Sequence, residues 1–428
     1  MPTKSNRTSF ARTSPSRYRK TTLANGVRIV TESLPYVRSV SIGVWADVGS
    51  RDESADRNGL SHFLEHMVFK GTRKRNVKDI AQSLESLGGY LNAFTTKEHT
   101  CFYARVLDAH VPEAMDVLSD LVLNAKFDKK ELEKEKQVVI EELRNDEDDP
   151  EDVIHDYFEK SLFPNHSLGN PIIGTEENLR RFQRADLCEH AEEYYRPDSL
   201  IVAAAGNVDH HRVVRLAERH FQGLLPKKNA RVREVGPSMT GQSGVREFKK
   251  PIQQSHICLG TVGYSMKHRD RHALLVLNGL LGEGMSSRLY QTIRERYGFA
   301  YTVYSFVSFM SDTGVFGVYI GTDQKNIDRS VELARAELLR LTERNVSAAE
   351  VERTKSQIKG NLMLSLESMS NRMMRLGGSE LYLNANQSVD EVLKNIDGVT
   401  PASIRRVARE LFSLDRFSTI IVRPSGKS

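Results

Sequence analysis

Two histidines, His62 and His66, stand four residues apart in a largely apolar segment that reads SHFLEHMVFKGT. On a helix this spacing places both imidazoles on one face, one turn apart, and Glu65 borders the same face. Two neutral imidazoles can bind a zinc ion at about 2.0–2.1 Å per bond, and the neighbouring carboxylate can take a proton from water that the ion activates. The apolar neighbours indicate that this helix, predicted over Arg57–Thr72, packs against a core.

The alternative is a buried helix with two ordinary histidines, so a metal site in this chain requires a third ligand. The later segment ELEKEKQVVIEEL predicts an amphipathic helix over Lys129–Asn145. Glu135 and Glu142 lie seven residues apart on it and so share a face. Glu142 would be the third ligand and would leave a fourth position open for water. Glu135 would orient a ligand or assist proton transfer. For each glutamate the alternative is a solvated charge.

Together these motifs resemble the pitrilysin/insulinase family of zinc metallopeptidases, whose members carry the HxxEH order followed by two such glutamates. Two further stretches agree with this resemblance. The strand that contains Asn92 and Ala93 is similar to the substrate-binding edge strand of the family, and Arg294 with Tyr301 is similar to its C-terminal Arg…Tyr pair. The similarity covers nearly the whole chain after about residue 20. It points to the short, two-repeat members, which include bacterial processing proteases and the beta subunit of mitochondrial processing peptidase.

The resemblance implies a specific site and activity. One zinc ion per chain would be bound by His62, His66 and Glu142, and Glu65 would act as the general base. The implied reaction is endoproteolytic hydrolysis of extended peptides or unfolded presequences inside a closed chamber. The substrate would add as a further strand along the edge strand named above, which requires backbone hydrogen bonds rather than particular side chains.

The order of predicted elements occurs twice, on either side of a segment at 226–245 that is rich in proline and glycine. This repetition predicts an α+β fold of two homologous α/β-sandwich repeats, at residues 21–225 and 246–428, each with a mainly antiparallel sheet covered by helices. Ser199–Val202 and Ser418–Val422 occupy matching places near the ends of the two repeats. The second repeat has no HxxEH motif, so we expect only the first to bind metal.

Composition excludes several other classes of protein. The chain has 61 basic and 56 acidic residues, a balance that indicates no dedicated nucleic-acid surface. No apolar run approaches the ~20 residues of a membrane span, so no membrane insertion is expected. The three cysteines include no C-x-x-C motif, which argues for a reducing compartment and against thiolate zinc. We expect a cytoplasmic, bacterial-type protein, with the mitochondrial matrix as the alternative.

Residues 1–20 are basic, rich in serine and free of acidic residues. They lack the apolar region of a secretory signal. Two prolines and few apolar side chains make a poor amphipathic helix, so a disordered basic tail is predicted. A mitochondrial transit peptide is the alternative interpretation.

An acidic pair, Asp152 and Asp156, follows Pro150 at the predicted start of a new helix. Their spacing puts both carboxylates on one face. At these offsets from the ligand glutamate they resemble the arginine-binding pair of processing peptidases, and a carboxylate pair can hold a guanidinium by charge-assisted hydrogen bonds. The alternative is the solvated acidic start of a helix.

The Arg…Tyr pair bears on assembly. Gly298 lies between Arg294 and Tyr301 and predicts a turn from helix to strand there. Larger members of the family enclose a chamber with four repeats, so a two-repeat chain would need two copies. The resemblance therefore predicts a C₂ homodimer in which Arg294 and Tyr301 of one chain reach the zinc site of the other.

Two alternatives concern function. One is a mitochondrial processing peptidase beta subunit that needs a separate alpha partner; the presence of Arg294 and Tyr301 favours the homodimer over it. The other is a non-catalytic assembly subunit related to the core proteins of a respiratory complex. The intact metal motif argues against that one.

Overall fold

The computed structural model describes residues 17–226, 233–237 and 243–425. In these ranges the strands are β1 (Arg17–Thr22), β2 (Arg28–Ser33), β3 (Ser39–Ala46), β4 (Tyr90–Thr95), β5 (Thr100–Leu107), β6 (Leu200–Gly206), β7 (Gly244–Lys250), β8 (Ser255–Gly263), β9 (Ala300–Phe309), β10 (Gly314–Thr322) and β11 (Ser418–Pro424). The α-helices are α1 (Leu60–Val68), α2 (Val77–Glu85), α3 (Val111–Asn124), α4 (Lys129–Asp148), α5 (Pro150–Leu162), α6 (Glu176–Arg181), α7 (Arg184–Tyr194), α8 (His210–Phe221), α9 (Arg271–Gly282), α10 (Ile327–Glu343), α11 (Ala348–Ser365), α12 (Met369–Leu383), α13 (Val389–Asp397) and α14 (Pro401–Leu411).

The strands form two sheets of matching topology. The first has the order β1-β2-β6-β3-β5-β4 and the second the order β7-β11-β8-β10-β9. In each sheet one pair is parallel, β2 with β6 and β7 with β11, and the other pairs are antiparallel. The matching segments of the sequence lie in β6 and β11, which occupy the same place in their sheets. The predicted α+β architecture of two repeats with mainly antiparallel sheets is therefore confirmed.

The two repeats exchange a helix. Helix α5 of the first repeat packs on the second sheet, through Ile154 and Phe158 among others. Helix α12 of the second repeat packs on the first sheet, where Met373 and Leu376 join a core with Trp45. Helices therefore cover both faces of each sheet. This explains why every residue of β6, β8 and β10 is buried.

A buried ion cluster joins the tips of two equivalent hairpins. The Arg51 guanidinium lies 2.6 Å from a Glu98 carboxylate oxygen, and these side chains are 0% and 1% exposed. The same guanidinium contacts both carboxylate oxygens of Asp312, at 2.7 and 2.8 Å. Glu98 also accepts a hydrogen bond from the backbone N–H of Ser311. Glu98 lies between β4 and β5, and Ser311 and Asp312 lie between β9 and β10. The cluster therefore fixes the β4–β5 hairpin against the second repeat.

Two predicted boundaries need correction. Residues 17–20 belong to β1, which pairs with β2, so the prediction of a disordered tail is wrong for these four residues; residues 1–16 lie outside the described part of the chain. The predicted linker at 226–245 overlaps β7, which begins at Gly244. Of the segment between the repeats, 233–237 is described, and Arg233 there contacts Asp52 of the first repeat at 2.9 Å.

None of the helices in the described part of the chain combines the length and the apolar character that crossing a bilayer requires.

Candidate metal centre and active site

Helix α1 carries the two histidines and is shorter than the sequence predicts. It begins at Leu60 rather than Arg57, because Gly59 has a φ of +98° and the backbone of Ile173 packs against it. It ends at Val68. Gly59, at the N-cap position, has no side chain that could cap the first turn. Instead the buried carboxylate of Glu53 accepts hydrogen bonds from the backbone N–H groups of Gly59 and Ser61, at 2.8 and 2.6 Å.

The burial of α1 explains which face is free for chemistry. Six of its residues, including Phe63, Leu64 and Met67, are buried. His62, Glu65 and His66 are only partly buried. The apolar residues therefore fix the helix in the core and leave a polar stripe of two imidazoles and one carboxylate.

Helix α4 lies against α1 and supplies the acidic residues. Asp128 caps its N-terminus by accepting hydrogen bonds from the N–H groups of Lys130 and Glu131. Leu132, Val139 and Leu143 bury its apolar face. The predicted helix over Lys129–Asn145 extends to Asp148, and the spacing of Glu135 and Glu142 brings both to the α1 side.

The three predicted ligands converge. Glu142 Oε1 lies 3.8 Å from His62 Nε2, and Glu142 Oε2 lies 3.4 Å from His66 Nε2. Candidate ligand atoms of the three residues all lie within 4.8 Å of one another. Ligands of a tetrahedral zinc ion lie roughly 3.3–3.6 Å apart. Two imidazole nitrogens and one carboxylate at this spacing fit a catalytic zinc site.

Glu135 lies behind the ligands. Its Oε1 atom is 2.9 Å from His66 Nδ1 and its Oε2 atom is 2.6 Å from the Lys70 ammonium. A hydrogen bond at Nδ1 fixes the tautomer that leaves Nε2 free to bind a metal. The structure therefore places Glu135 where the sequence predicts a residue that orients a ligand.

The electrostatics of the cluster favour a cation. Burial disfavours charge on His66, but the hydrogen bond to Glu135 and the Glu142 carboxylate 3.4 Å away outweigh it and raise the pKa of His66 to about 9. Burial and the neighbouring His66 lower the pKa of His62 to about 4. The neighbouring His66 lowers the pKa of Glu142. A metal ligand must be a neutral imidazole, so a dication bound here would displace the proton of His66.

Glu65 is placed for proton transfer. Its Oε2 atom accepts a 2.7 Å hydrogen bond from the Thr95 hydroxyl. Burial raises the pKa of Glu65, against the hydrogen bond from Thr95. A carboxylate whose pKa moves toward the working pH is a better general base. Thr95 ends β4, so the predicted base contacts the strand predicted to bind substrate.

The predicted substrate strand lies at a sheet edge. Asn92 and Ala93 belong to β4, the terminal strand of the first sheet. Asn92 is exposed and Ala93 is partly exposed. Among the described residues β4 pairs only with β5, so its outer edge has backbone groups available for an extended peptide.

The acidic pair lies on α5. Asp152 is exposed, whereas Asp156 is partly buried, and burial raises its pKa to about 6 although Lys97 opposes the shift. Burial raises the pKa of Asp146, and the nearby carboxylates of Glu142 and Asp152 raise it further. The pair thus belongs to an acidic region that continues to the ligand glutamate.

Arg294 and Tyr301 meet on the second repeat. A turn of π-helix at Tyr290–Arg296 precedes Gly298, whose φ of +62° makes the predicted turn into β9. Arg294 Nη1 donates a 2.7 Å hydrogen bond to the backbone oxygen of Tyr301. The guanidinium lies 4.9 Å from the ring centre of Tyr290 and 4.7 Å from that of Tyr301. Tyr301 is 74% exposed, so the pair offers a hydroxyl and guanidinium donors at the surface.

Three residues of these sites were not predicted as site residues from sequence. Thr95 contacts the base, Lys70 contacts Glu135, and Tyr290 stacks on Arg294. Lys70 stands four residues after His66, a spacing that could have identified it as a neighbour on the same face. The contact of Thr95 depends on how the sheet packs on α1, which no local pattern specifies.

Comparison with known proteins agrees with this arrangement. The family model described as "Insulinase (Peptidase family M16)" matches residues 28–176, and the model described as "Peptidase M16 inactive domain" matches residues 181–358. An uncharacterized zinc protease of Bacillus subtilis, YmxG, is 42% identical, and the match covers 95% of this chain and 98% of the relative. An uncharacterized zinc protease of Streptomyces coelicolor is 40% identical, with 92% of this chain and 87% of the relative covered.

A solved structure gives the same fold. The crystal structure of a protease from Helicobacter pylori superposes with a TM-score of 0.89, covers 96% of this chain and 100% of that chain, and is 24% identical. At this identity the likeness bears on the fold alone. The relatives above match at much higher identity along nearly their whole length, and they establish that this chain is a member of the insulinase family of peptidases, peptidase family M16.

Proposed function

We propose that this chain is a zinc-dependent endopeptidase that hydrolyses extended peptides or unfolded presequences inside a closed chamber. One observation carries the proposal: the ligand atoms of His62, His66 and Glu142 lie within 4.8 Å of one another, and Glu65 lies on the same helix face. The zinc protease names of the bacterial relatives support the choice of metal. Their bacterial sources favour a bacterial cytoplasmic enzyme over a mitochondrial one.

The residues have distinct tasks in this proposal. Bound zinc would supply Lewis-acid activation of the scissile carbonyl and of the attacking water. Glu65 accepts the proton of that water and returns it to the leaving amine nitrogen. The Thr95 hydroxyl occupies Oε2 of Glu65, which leaves Oε1 to take the proton. Glu135 holds the ring of His66, and the outer edge of β4 binds the substrate backbone.

Metal analysis of the purified chain tests the proposal. We expect about one zinc ion per chain and cleavage of a long unfolded peptide at internal bonds. A chelator should abolish cleavage, and added zinc should restore it. Full cleavage by protein from which zinc has been removed would reject the zinc mechanism. Release of single residues from the peptide ends would instead reject the endopeptidase.

For the substrate, we propose that cleavage favours an arginine near the scissile bond, bound by Asp152 and Asp156. Their carboxylates belong to the acidic region beside Glu142. A peptide library should show a preference for arginine that Asp152→Asn/Asp156→Asn loses. The charge-matched control, Glu141→Gln/Glu177→Gln, changes two exposed carboxylates and should keep it. Identical arginine preference in all three proteins would remove the pair from the model.

For assembly, we propose a C₂ homodimer in which Arg294 and Tyr301 complete the active site of the other chain. Tyr301 is exposed on the second repeat and the partly buried Arg294 lies against it, a surface position that supports an intermolecular role. Arginine donors and a tyrosine hydroxyl can hold a substrate carbonyl and stabilise the charge that develops on it.

Mixing two inactive variants tests this arrangement. The first, His62→Ala/Glu65→Gln, lacks the metal chemistry, and the second, Arg294→Ala/Tyr301→Phe, lacks the donors. After subunit exchange, heterodimers should contain one intact composite site and recover a substantial part of the wild-type rate. Heterodimers with background activity would reject the trans arrangement, and a fully active monomer would reject the dimer.

A further inference from the structure

Lys70 contacts the side chain that orients a metal ligand. It follows the end of α1, and its ammonium lies 2.6 Å from Oε2 of Glu135. The other oxygen of Glu135 contacts His66 Nδ1 at 2.9 Å. The Glu135 side chain is 5% exposed and that of Lys70 is 27% exposed. One carboxylate therefore divides its two oxygens between the ring of a ligand and a cation.

The backbone around Lys70 is fixed to the segment that leads into α4. The N–H of Lys70 donates to the carbonyl of Met67, and the carbonyl of Gly71 accepts from the N–H of Lys126, at 3.1 and 3.0 Å. Thr72 forms an isolated β-bridge with Ala125. The start of the Lys70 side chain is thus held relative to both helices of the site.

A buried carboxylate is costly unless cations or donors satisfy it. The imidazole N–H of His66 satisfies one oxygen of Glu135, and the Lys70 ammonium satisfies the other. Without that ammonium, Glu135 would gain by turning toward water and would release His66. The cation therefore determines where the carboxylate points.

We infer that Lys70 is a positioning residue of the metal site: by holding one oxygen of Glu135 it keeps the other on His66, and it links α1 to α4. It acts through Glu135 and does not touch the ligands or the substrate itself. The inference rests on the proposed zinc site, and nothing in the zinc chemistry requires a cation at this place.

Zinc affinity of the full chain, measured by competition with a chelator, tests the inference without relying on activity. Lys70→Met and Glu135→Gln should each weaken zinc binding about 10–100-fold. In the double variant the loss should match that of Glu135→Gln alone to within about 3-fold, because Lys70 acts through Glu135. Lys70→Arg, which keeps the charge, should restore most of the affinity.

The matched control is Lys134→Met, which removes an exposed lysine of α4 that pairs with Glu131; it should bind zinc as the wild type does. If Lys70→Met does not fold, Lys70→Gln takes its place in the same comparison of single and double variants with Glu135→Gln. The inference would be overturned if Lys70→Met bound zinc with wild-type affinity. It would also be overturned if Lys70→Met weakened zinc binding by the same factor in the Glu135→Gln background as in the wild type. Failure of the wild type to bind zinc would instead reject the proposed function, and the inference with it.

Discussion

Helices α1 and α4 of the first repeat have direct counterparts in α9 and α11 of the second. Each pair follows the same strands in its sheet. Between α1 and α4 stand two imidazoles and a carboxylate at metal-ligand spacing. Between α9 and α11 the helices are so close that a Cβ at Gly279 would lie 3.1 Å from side-chain atoms of Thr354 and Ile358. One interface leaves room for an ion, and the other is filled by apolar contact.

The difference shows that the fold positions a pair of helices but does not make a metal site. Both repeats provide the same scaffold. The residues at the helix contact decide whether the space holds an ion or methyl groups. The second repeat contributes in other ways: α12 covers the first sheet, and the loop with Ser311 and Asp312 holds the β4–β5 hairpin.

The largest expected effect comes from removing the proposed base, Glu65, in the first repeat. Glu65→Gln should lower kcat by about 10³-fold, since positioned acid–base groups contribute about 10²–10⁴-fold. Zinc content should stay unchanged because the three ligands remain. Turnover and metal content of the same preparation provide the measurement. Glu141→Gln, on an exposed position next to a ligand, is the control and should keep the wild-type rate. A fully active Glu65→Gln enzyme would show that Glu65 is not the base, and this chemical difference between the two repeats would no longer hold.

The next effect tests how closely the second repeat packs on the first. A Cβ at Gly377 of α12 would lie 2.3 Å from Cε2 of Trp45, whereas nothing lies within 4 Å of one at Gly378. Gly377→Ala should therefore lower the free energy of unfolding by about 2–3 kcal/mol through overpacking. Gly378→Ala, one residue away, should raise it by about 0.5–1 kcal/mol because alanine favours a helix. Urea unfolding measures both; equal effects at the two positions would mean that α12 does not pack closely on the first sheet.

Gly279 tests the helix contact of the second repeat directly. Gly279→Val adds three methyl or methine groups where Thr354 and Ile358 already crowd the site, and it should lower the free energy of unfolding by about 2 kcal/mol. Zinc affinity should remain that of the wild type, because Gly279 belongs to the second repeat and the three proposed ligands belong to the first. A variant that folds normally but loses zinc would show that the second helix pair has a part in metal binding.

Sequence patterns predicted the geometry of the candidate metal site because its spacing is local. His62, Glu65 and His66 share a helix face, and Glu135 and Glu142 share another, so one amphipathic pattern places each set. Only the meeting of α1 with α4 is not local, and the family resemblance supplied it.

Other features depend on tertiary contacts and were not predictable from local patterns. Strand β1 reads RYRKTT, a basic segment with little apolar character, and the sequence predicts a tail there. Pairing with β2 and the ion pair of Lys20 with the buried Glu380 of α12 stabilise it. The exchange of α5 and α12 has no sequence signal either, because each helix is amphipathic whichever sheet it covers. For Lys70, the spacing from His66 indicates a neighbour on the same face, but its contact with Glu135 depends on how α4 packs against α1.

The smallest expected effect is a pH dependence of stability that arises where α7 packs against α1 and not where α14 packs against α9. His190 of α7 packs against α1 and contacts the Ser61 hydroxyl at 3.1 Å, while α14, the counterpart beside α9, has no histidine. Burial, with a contribution from Arg57, lowers the pKa of His190 to about 3. The unfolded chain therefore binds this proton from about pH 6.5 downward and the folded chain does not, so stability is full above that pH and falls as the pH decreases. Between pH 7.5 and 5.5 His190 should cost about 1.4 kcal/mol, and His190→Gln should reduce the acid-induced loss in unfolding free energy by that amount. Ser61→Ala removes the hydroxyl but leaves the histidine buried, so it should keep the wild-type pH dependence. If His190→Gln lost as much stability on acidification as the wild type, the acid sensitivity would belong to other groups and not to the helix contact that distinguishes the first repeat.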